Sequence, residues 1–205
     1  MPFLKDFIIN NSTKIILWKI IPGELDDKHL RKEEIGLLKK RKAKNSREYF
    51  LAARKLLNNE DSDLTIDYDL KGKPFLNKQK GISISHSNEI VAIGISNEID
   101  FGIDVQFKTD KVFKIQNKFL SEKESKFLGK KNDLESLIKV WSAKESNFKA
   151  LGKEGVSFSN DIEIETINEK DFFRAGYYRK GNFKIKFDLD FLFMEEYIVC
   201  YAKKA

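Results

Sequence analysis

Two carboxylates, one amide and one ammonium occupy positions where polar groups require a reason. Between Ile99 and Gln106, apolar residues alternate with others. On an extended strand this sets Asp104 and Gln106 side by side on one face, about 7 Å apart. Gly102, on that same face, leaves room for a closely approaching ligand or backbone. The pattern also fits the solvent side of an edge strand, and spacing alone does not choose between the two. Further along, Leu134, Leu137, Ile138, Trp141 and Phe148 recur at helical spacing, and Glu145 falls near the middle of that stripe with Lys149 one turn on. A Glu–Lys pair four apart is a weak surface interaction, about 0.2–0.5 kcal/mol. On an apolar stripe it reads instead as a cleft wall, with Glu145 on a metal and Lys149 on a phosphate. Lys144 is expected toward the edge of the stripe, as a solvated charge.

The ligand chemistry follows from what the chain lacks. With one cysteine and two histidines in 205 residues, thiolate and imidazole zinc sites are close to excluded. Oxygen donors from an Asp and a Glu suit Mg²⁺, which takes one or two carboxylates and completes its shell with water and substrate phosphates. A divalent cation with a polyphosphate substrate is the chemistry to test.

Local signals place these residues on elements. Residues 15–20 read as a first strand, stopped by Pro22-Gly23, with helical sequence after it. Asn45 and Glu48 resemble a capping box opening a helix through Leu57. Strand-like pieces follow at 64–68 and 75–76, around a turn at Lys71-Gly72-Lys73-Pro74. Residues 82–86 and 90–96 read as a hairpin turning at Ser87-Asn88. After the strand that carries Asp104, residues 113–129 read as helix, turn and helix, with Ser121 and Glu124 as a capping box. A long helix runs from about 133 to 150 and stops at Gly152. Strands at 157–166 and 183–201 complete the chain. Each half thus runs strand, helices, strands. The expected class is α+β, a pseudo-twofold pair of similar lobes, each an antiparallel sheet packed with helices. The division falls at residues 1–97 and 98–205.

Composition limits the partners. Hydrophobic residues make up 41% and charged residues 34%, an ordinary balance for a soluble domain, and 17 phenylalanines predict an aromatic-rich core. No apolar run reaches the ~20 residues that span a bilayer, and the N-terminus lacks a signal-peptide pattern. Those features, with a lone Cys200 in an apolar strand, lead us to expect a cytoplasmic protein that does not engage membranes and whose thiol is buried and inert. The net charge of +6 favours an anionic partner, and residues 28–54 hold ten basic residues against three acids. That stretch fits a solvated helix face. It also permits a different class of function, a non-enzymatic module binding nucleic acid or an acidic protein, but no nucleic-acid-binding signature accompanies it.

Five segments in order carry a resemblance: Gly72-Lys73-Pro74; Ile84-Ser85-His86-Ser87; Gly102-Ile103-Asp104; Phe119-Leu120-Ser121-Glu122-Lys123-Glu124; and Trp141-Ser142-Ala143-Lys144-Glu145-Ser146 with Lys149. Together, over about residues 47–155, they resemble the 4′-phosphopantetheinyl transferases, in particular the monomeric two-lobed group of the surfactin-synthetase-activating type. The resemblance implies an active site at the lobe interface. There the phosphopantetheine arm of coenzyme A moves to a serine of an apo acyl or peptidyl carrier protein, with Mg²⁺, releasing adenosine 3′,5′-bisphosphate. It implies Asp104, Gln106 and Glu145 as metal ligands, and Glu145 and Lys149 as catalytic groups. Coenzyme A would meet Arg47, Arg54, Gly72, Lys73, Pro74, Ser85, His86, Asp104 and Lys149. Lys39, Lys40 and Arg41 compete with Arg47 and Arg54 for the 3′-phosphate. By pattern alone His86 is also a satisfied core histidine, and Glu124 only a cap. Many members carry Gly-Ile-Asp-Ile-Glu where this chain has Gln106, which bears on metal choice.

Overall fold

The computed structural model describes residues 3–9, 12–129, 133–165 and 173–205. Two compact units emerge, Met1–Ile99 and Asp100–Ala205. Among the described residues no helix is long and apolar enough to cross a membrane.

Unit 1 runs β1 (Phe3–Ile9), β2 (Thr13–Lys19), α1 (Lys32–Lys39), α2 (Lys44–Glu60), β3 (Ile66–Tyr68), β4 (Pro74–Leu76), β5 (Gly81–Ser87) and β6 (Ile90–Ser96). Its main sheet has the order β1-β2-β6-β5, every pair antiparallel. Ala52, Ala53, Leu56 and Leu57 of α2 pack on Ile16, Trp18, Ile82, Val91 and Ile93 of the sheet. Strand β1 precedes the segment expected to be the first strand. Helix α2 starts at Lys44 with Ala43 as N-cap and no side-chain cap, so the expected Asn45–Glu48 box does not form. Asn45 already lies inside the first turn, where its side chain cannot serve as the cap. The β5–β6 hairpin turns at Asn88-Glu89, with Asn88 at φ +51°.

Unit 2 runs β7 (Phe101–Phe107), α3 (Lys111–Phe119), α4 (Glu122–Leu128), α5 (Leu134–Leu151), β8 (Ile162–Ile164), β9 (Ala175–Lys180), β10 (Phe183–Phe193) and β11 (Tyr197–Lys204). The sheet order is β7-β11-β10-β9-β8, again antiparallel throughout. In both units an early strand pairs with the last strand after the helices, β2 with β6 and β7 with β11. This agrees with the α+β class read from the chain. The strand expected at 157–166 is shorter: Asp161 caps a turn by accepting from the Ser157 amide at 2.9 Å, and pairing begins at Ile162. Thr166 lies outside the described residues. β9 is an additional strand.

The helices of unit 2 meet at a buried ion pair. Ser121 and Glu124 form the expected capping box, Glu124 accepting from the Ser121 amide at 2.7 Å and returning its own amide to Ser121 Oγ at 3.2 Å. Glu124 also accepts from the Ile164 amide at 2.8 Å. Lys144 is not a solvated edge charge, as expected from its helical position, but wholly enclosed. Its Nζ lies 2.7 Å from Glu124 Oε2 and donates toward the carbonyls of Phe119, Phe158 and Ile162 at 2.6–2.8 Å. Burial lowers its pKa, while the Glu124 charge opposes that. The reason is geometric: those carbonyls come from three other segments, leaving the ammonium a complete shell without water.

Removing one member of such a pair leaves a buried charge uncompensated, at a cost of about 3–5 kcal/mol. Lys144→Met should therefore lower the urea-unfolding free energy by about that amount. Lys144→Met/Glu124→Gln should recover part of it. A loss below about 1 kcal/mol for Lys144→Met would show that the pair does not anchor the unit.

Candidate active site

The acidic cluster of unit 2 is set by how closely α5 lies on β7. A methyl group at Gly102 would overlap the Ser146 carbonyl oxygen and stand 2.7 Å from the Ala150 nitrogen and 2.9 Å from Lys149 Cβ. The room at Gly102 is thus taken by helix backbone. Small polar residues complete the contact, Ser142 Oγ donating to the Asp104 carbonyl at 3.4 Å and Ser146 Oγ to the Cys200 carbonyl at 3.0 Å. The buried side chains of α5 run from Leu137 and Ile138 of the apolar stripe round to Val140, Ser142, Ala143, Lys144, Ser146, Asn147 and Ala150, whereas Trp141, Glu145 and Phe148 are half-buried. Glu145 lies among the stripe residues that pack on the core and is itself half-buried. The small side chains, not the aromatic ones, admit close approach to the sheet.

Strand alternation turns Gly102, Asp104 and Gln106 toward this helix. Asp104 is 2% exposed. Its Oδ1 accepts from Lys149 Nζ at 2.9 Å, and Lys149 also donates to the Ile103 carbonyl at 2.9 Å. Its Oδ2 accepts from Gln106 Nε2 at 2.8 Å. A carboxylate only accepts, so the amide presents nitrogen, not oxygen, to Asp104. Glu145 has Trp141 one turn before it and Phe148 one turn after, both rings packed on Phe158. Burial raises its pKa from 4.5 to about 7; the Asp104 charge adds to the rise and Lys149 opposes it. Cys200 pairs with Asp104 in register and is fully buried, and burial pushes its thiol pKa up. That leaves it an inert neighbour.

Asp104, Gln106, Glu145 and Lys149 are thus brought together. Among the described residues no group of three or more His, Cys, Asp or Glu is arranged to hold a metal ion. The donor set is two carboxylates, joined by an amide oxygen if Gln106 turns its nitrogen away from Asp104. That fits Mg²⁺, which needs only one or two protein carboxylates when a polyphosphate supplies the rest.

Unit 1 holds a separate pocket of about 330 Å³, with Arg41, Tyr49, Phe50, Arg54, Tyr68 and His86 among its lining. The Tyr49 and His86 rings stack at 4.0 Å and 10°. Arg54 lies 3.4 Å from the Phe50 ring centroid, donates to the Tyr68 hydroxyl at 3.2 Å and pairs with buried Glu34 at 3.2 Å. Burial lowers the Arg41 pKa; Tyr68 opposes this and the Arg54 charge adds to it.

Of the residues assigned to coenzyme A in this half, Arg54 and His86 line the pocket. The Arg47 guanidinium is directed elsewhere, donating to the Leu38 carbonyl at 3.1 Å. Ser85 lies on the opposite face of β5 from Ile84 and His86 and is buried. Gly72, Lys73 and Pro74 form the β3–β4 turn, where Gly72 has φ +80° and Asp69 accepts from the Lys73 amide at 2.8 Å. This turn follows Tyr68, whose ring reaches the pocket. Sequence reasoning missed Tyr49 and Tyr68. Tyr49 adjoins the apolar face of α2, but nothing local announces its stack on His86.

Residues 100–202 match the sequence model of the 4′-phosphopantetheinyl transferase superfamily. A curated relative, 4′-phosphopantetheinyl transferase gsp of Aneurinibacillus migulanus, is 34% identical over 101 residues. That match spans 48% of this chain and 42% of the relative's length.

The raised Glu145 pKa fixes a pH dependence for the metal-free protein. Below 4.5 the group is protonated whether folded or unfolded and has no effect. Between 4.5 and about 7 the unfolded chain ionises first, so folded stability falls as pH rises. Glu145→Gln should match wild type near pH 4.5 and exceed it by about 3 kcal/mol near pH 8, measured by urea unfolding in EDTA. Parallel profiles would contradict the assigned environment.

Proposed function

Because the chain belongs to the 4′-phosphopantetheinyl transferase superfamily, we propose that it transfers the phosphopantetheine arm of coenzyme A to a serine of an apo carrier protein. The reading has the chain acting as a cytoplasmic monomer, dependent on Mg²⁺. The observation that carries it is Lys149 held against a nearly inaccessible Asp104 beside Glu145. Stability alone gives little reason to gather two acids and a lysine where α5 meets β7, since a buried pair is at best neutral against apolar packing. A diphosphate gives a reason.

In this reaction the serine oxygen attacks the phosphorus that carries pantetheine. The P–O bond to adenosine 3′,5′-bisphosphate breaks, and the serine proton is removed. Asp104 and Glu145, with the Gln106 amide oxygen, would hold Mg²⁺, whose charge when bound neutralises the diphosphate. Lys149 turns its ammonium to the phosphate oxygens and stabilises the charge that accumulates on the leaving group. Glu145, beside the site where the diphosphate would lie, is the candidate to accept the serine proton. In unit 1, Arg54, Arg41 and His86 offer positive charge and an imidazole to the 3′-phosphate, with Tyr49 and Tyr68 as aromatic walls. The net charge of +6 suits a carrier with acidic residues around its serine.

The test is incubation with coenzyme A, Mg²⁺ and several apo carrier proteins, read by intact mass. The expected result is a gain of one phosphopantetheine on at least one carrier. Glu145→Ala should reduce the rate at least about 10³-fold, and Gln106→Ala about tenfold or less. No gain on any carrier, while another transferase modifies the same set, would overturn the reading. Equal and negligible effects of the two substitutions would overturn the metal assignment.

A further inference from the structure

We infer that Gln106 keeps the cation site closed in the free protein, so that a divalent cation is captured only together with the diphosphate of the substrate. The inference rests on the function proposed above and concerns the order in which its parts assemble.

Both oxygens of the Asp104 carboxylate already serve as acceptors, Oδ1 from Lys149 Nζ at 2.9 Å and Oδ2 from Gln106 Nε2 at 2.8 Å. Asp104 is 2% exposed and its two donors are partly buried, so these charge-assisted bonds are partly shielded from water. A cation arriving alone must share an oxygen that already accepts one of these charge-assisted bonds, or displace a donor. It also meets the Lys149 ammonium at the same carboxylate. Of the formal charges, Lys149 cancels Asp104 and only Glu145 remains to attract a cation.

A diphosphate changes each of these terms. It brings further negative charge and oxygen ligands, and it offers Lys149 another anionic partner. That releases Oδ1 for the cation. Cation and diphosphate therefore favour each other, and linkage requires the effect to be reciprocal. Gln106 is the residue that sets this behaviour. A glutamate there, ionised, cannot donate to Asp104; it places a second carboxylate beside the first and repels it. Gln106→Glu should thus open Oδ2, add a charge and build a site that takes a cation unaided, at some expense to the stability of the empty protein. The amide holds the empty site together and forgoes that affinity.

The measurement is Mn²⁺ binding by paramagnetic relaxation and calorimetry, with and without coenzyme A. No carrier protein is added, so no turnover occurs, and coenzyme A with Mn²⁺ alone serves as the blank. In wild type, coenzyme A should tighten protein-dependent Mn²⁺ binding at least about tenfold. Mn²⁺ should tighten coenzyme A binding by the same factor. In Gln106→Glu, Mn²⁺ alone should bind about tenfold or more tightly than to wild type, and the coupling factor should shrink. Circular dichroism verifies that the variant is folded, and the wild-type comparison decides the question without it. Equal Mn²⁺ affinity of wild type with and without coenzyme A, lost in Asp104→Asn, would overturn the inference and leave the metal site standing. Absence of any protein-dependent Mn²⁺ binding, even with coenzyme A, would overturn both.

Discussion

The distance between α5 and β7 governs the chemistry of unit 2, and Gly102 sets it. No side chain other than hydrogen fits where the Ser146 carbonyl and the Ala150 nitrogen press on the strand. That approach brings Lys149 within 2.9 Å of both Asp104 and the Ile103 carbonyl. It also sets Glu145 in the field of Asp104. A helix further out would leave the carboxylates in water, with ordinary pKa values and no shared counter-ion.

A second lysine of the same helix has the opposite role. Lys144 and Lys149 are five residues apart and so face different sides of α5. Lys144 is enclosed by Glu124 and three carbonyls, and its charge is spent on joining α4, α5 and the segment entering β8. Lys149 remains a quarter exposed and held by one carboxylate. Two residues of one type on one helix thus divide into an anchor and a partly exposed charge, the one the proposed reaction would use, and burial makes the difference.

Much of this is readable along the chain wherever one element decides it. Strand alternation places Asp104 and Gln106 on one face, and the Ser121–Glu124 box opens α4 as its spacing predicts. Helical spacing also brings Glu145 and Lys149 to adjacent turns. What is not readable depends on partners distant in sequence. Lys144 looks like surface until Phe119, Phe158 and Ile162 close around it. The apolar stripe on α5 does pack on the core, but helical periodicity cannot say that Ser142, Ala143 and Ser146 form a second buried face that admits the sheet. In unit 1, Arg47 and Arg54 are equivalent as sequence. Only the fold directs one to the Leu38 carbonyl and the other into a pocket with Tyr68 and His86.

The central claim is that Asp104 and Glu145 hold a hard cation on a diphosphate while Lys149 leaves Asp104 for a phosphate. A crystal structure with coenzyme A and Mn²⁺, read from the anomalous signal of the metal, tests it most directly. The account predicts a peak about 2.1 Å from an oxygen of each acid and of the diphosphate, with Lys149 Nζ on a phosphate oxygen. A peak elsewhere, with Lys149 still on Asp104 Oδ1, would contradict it.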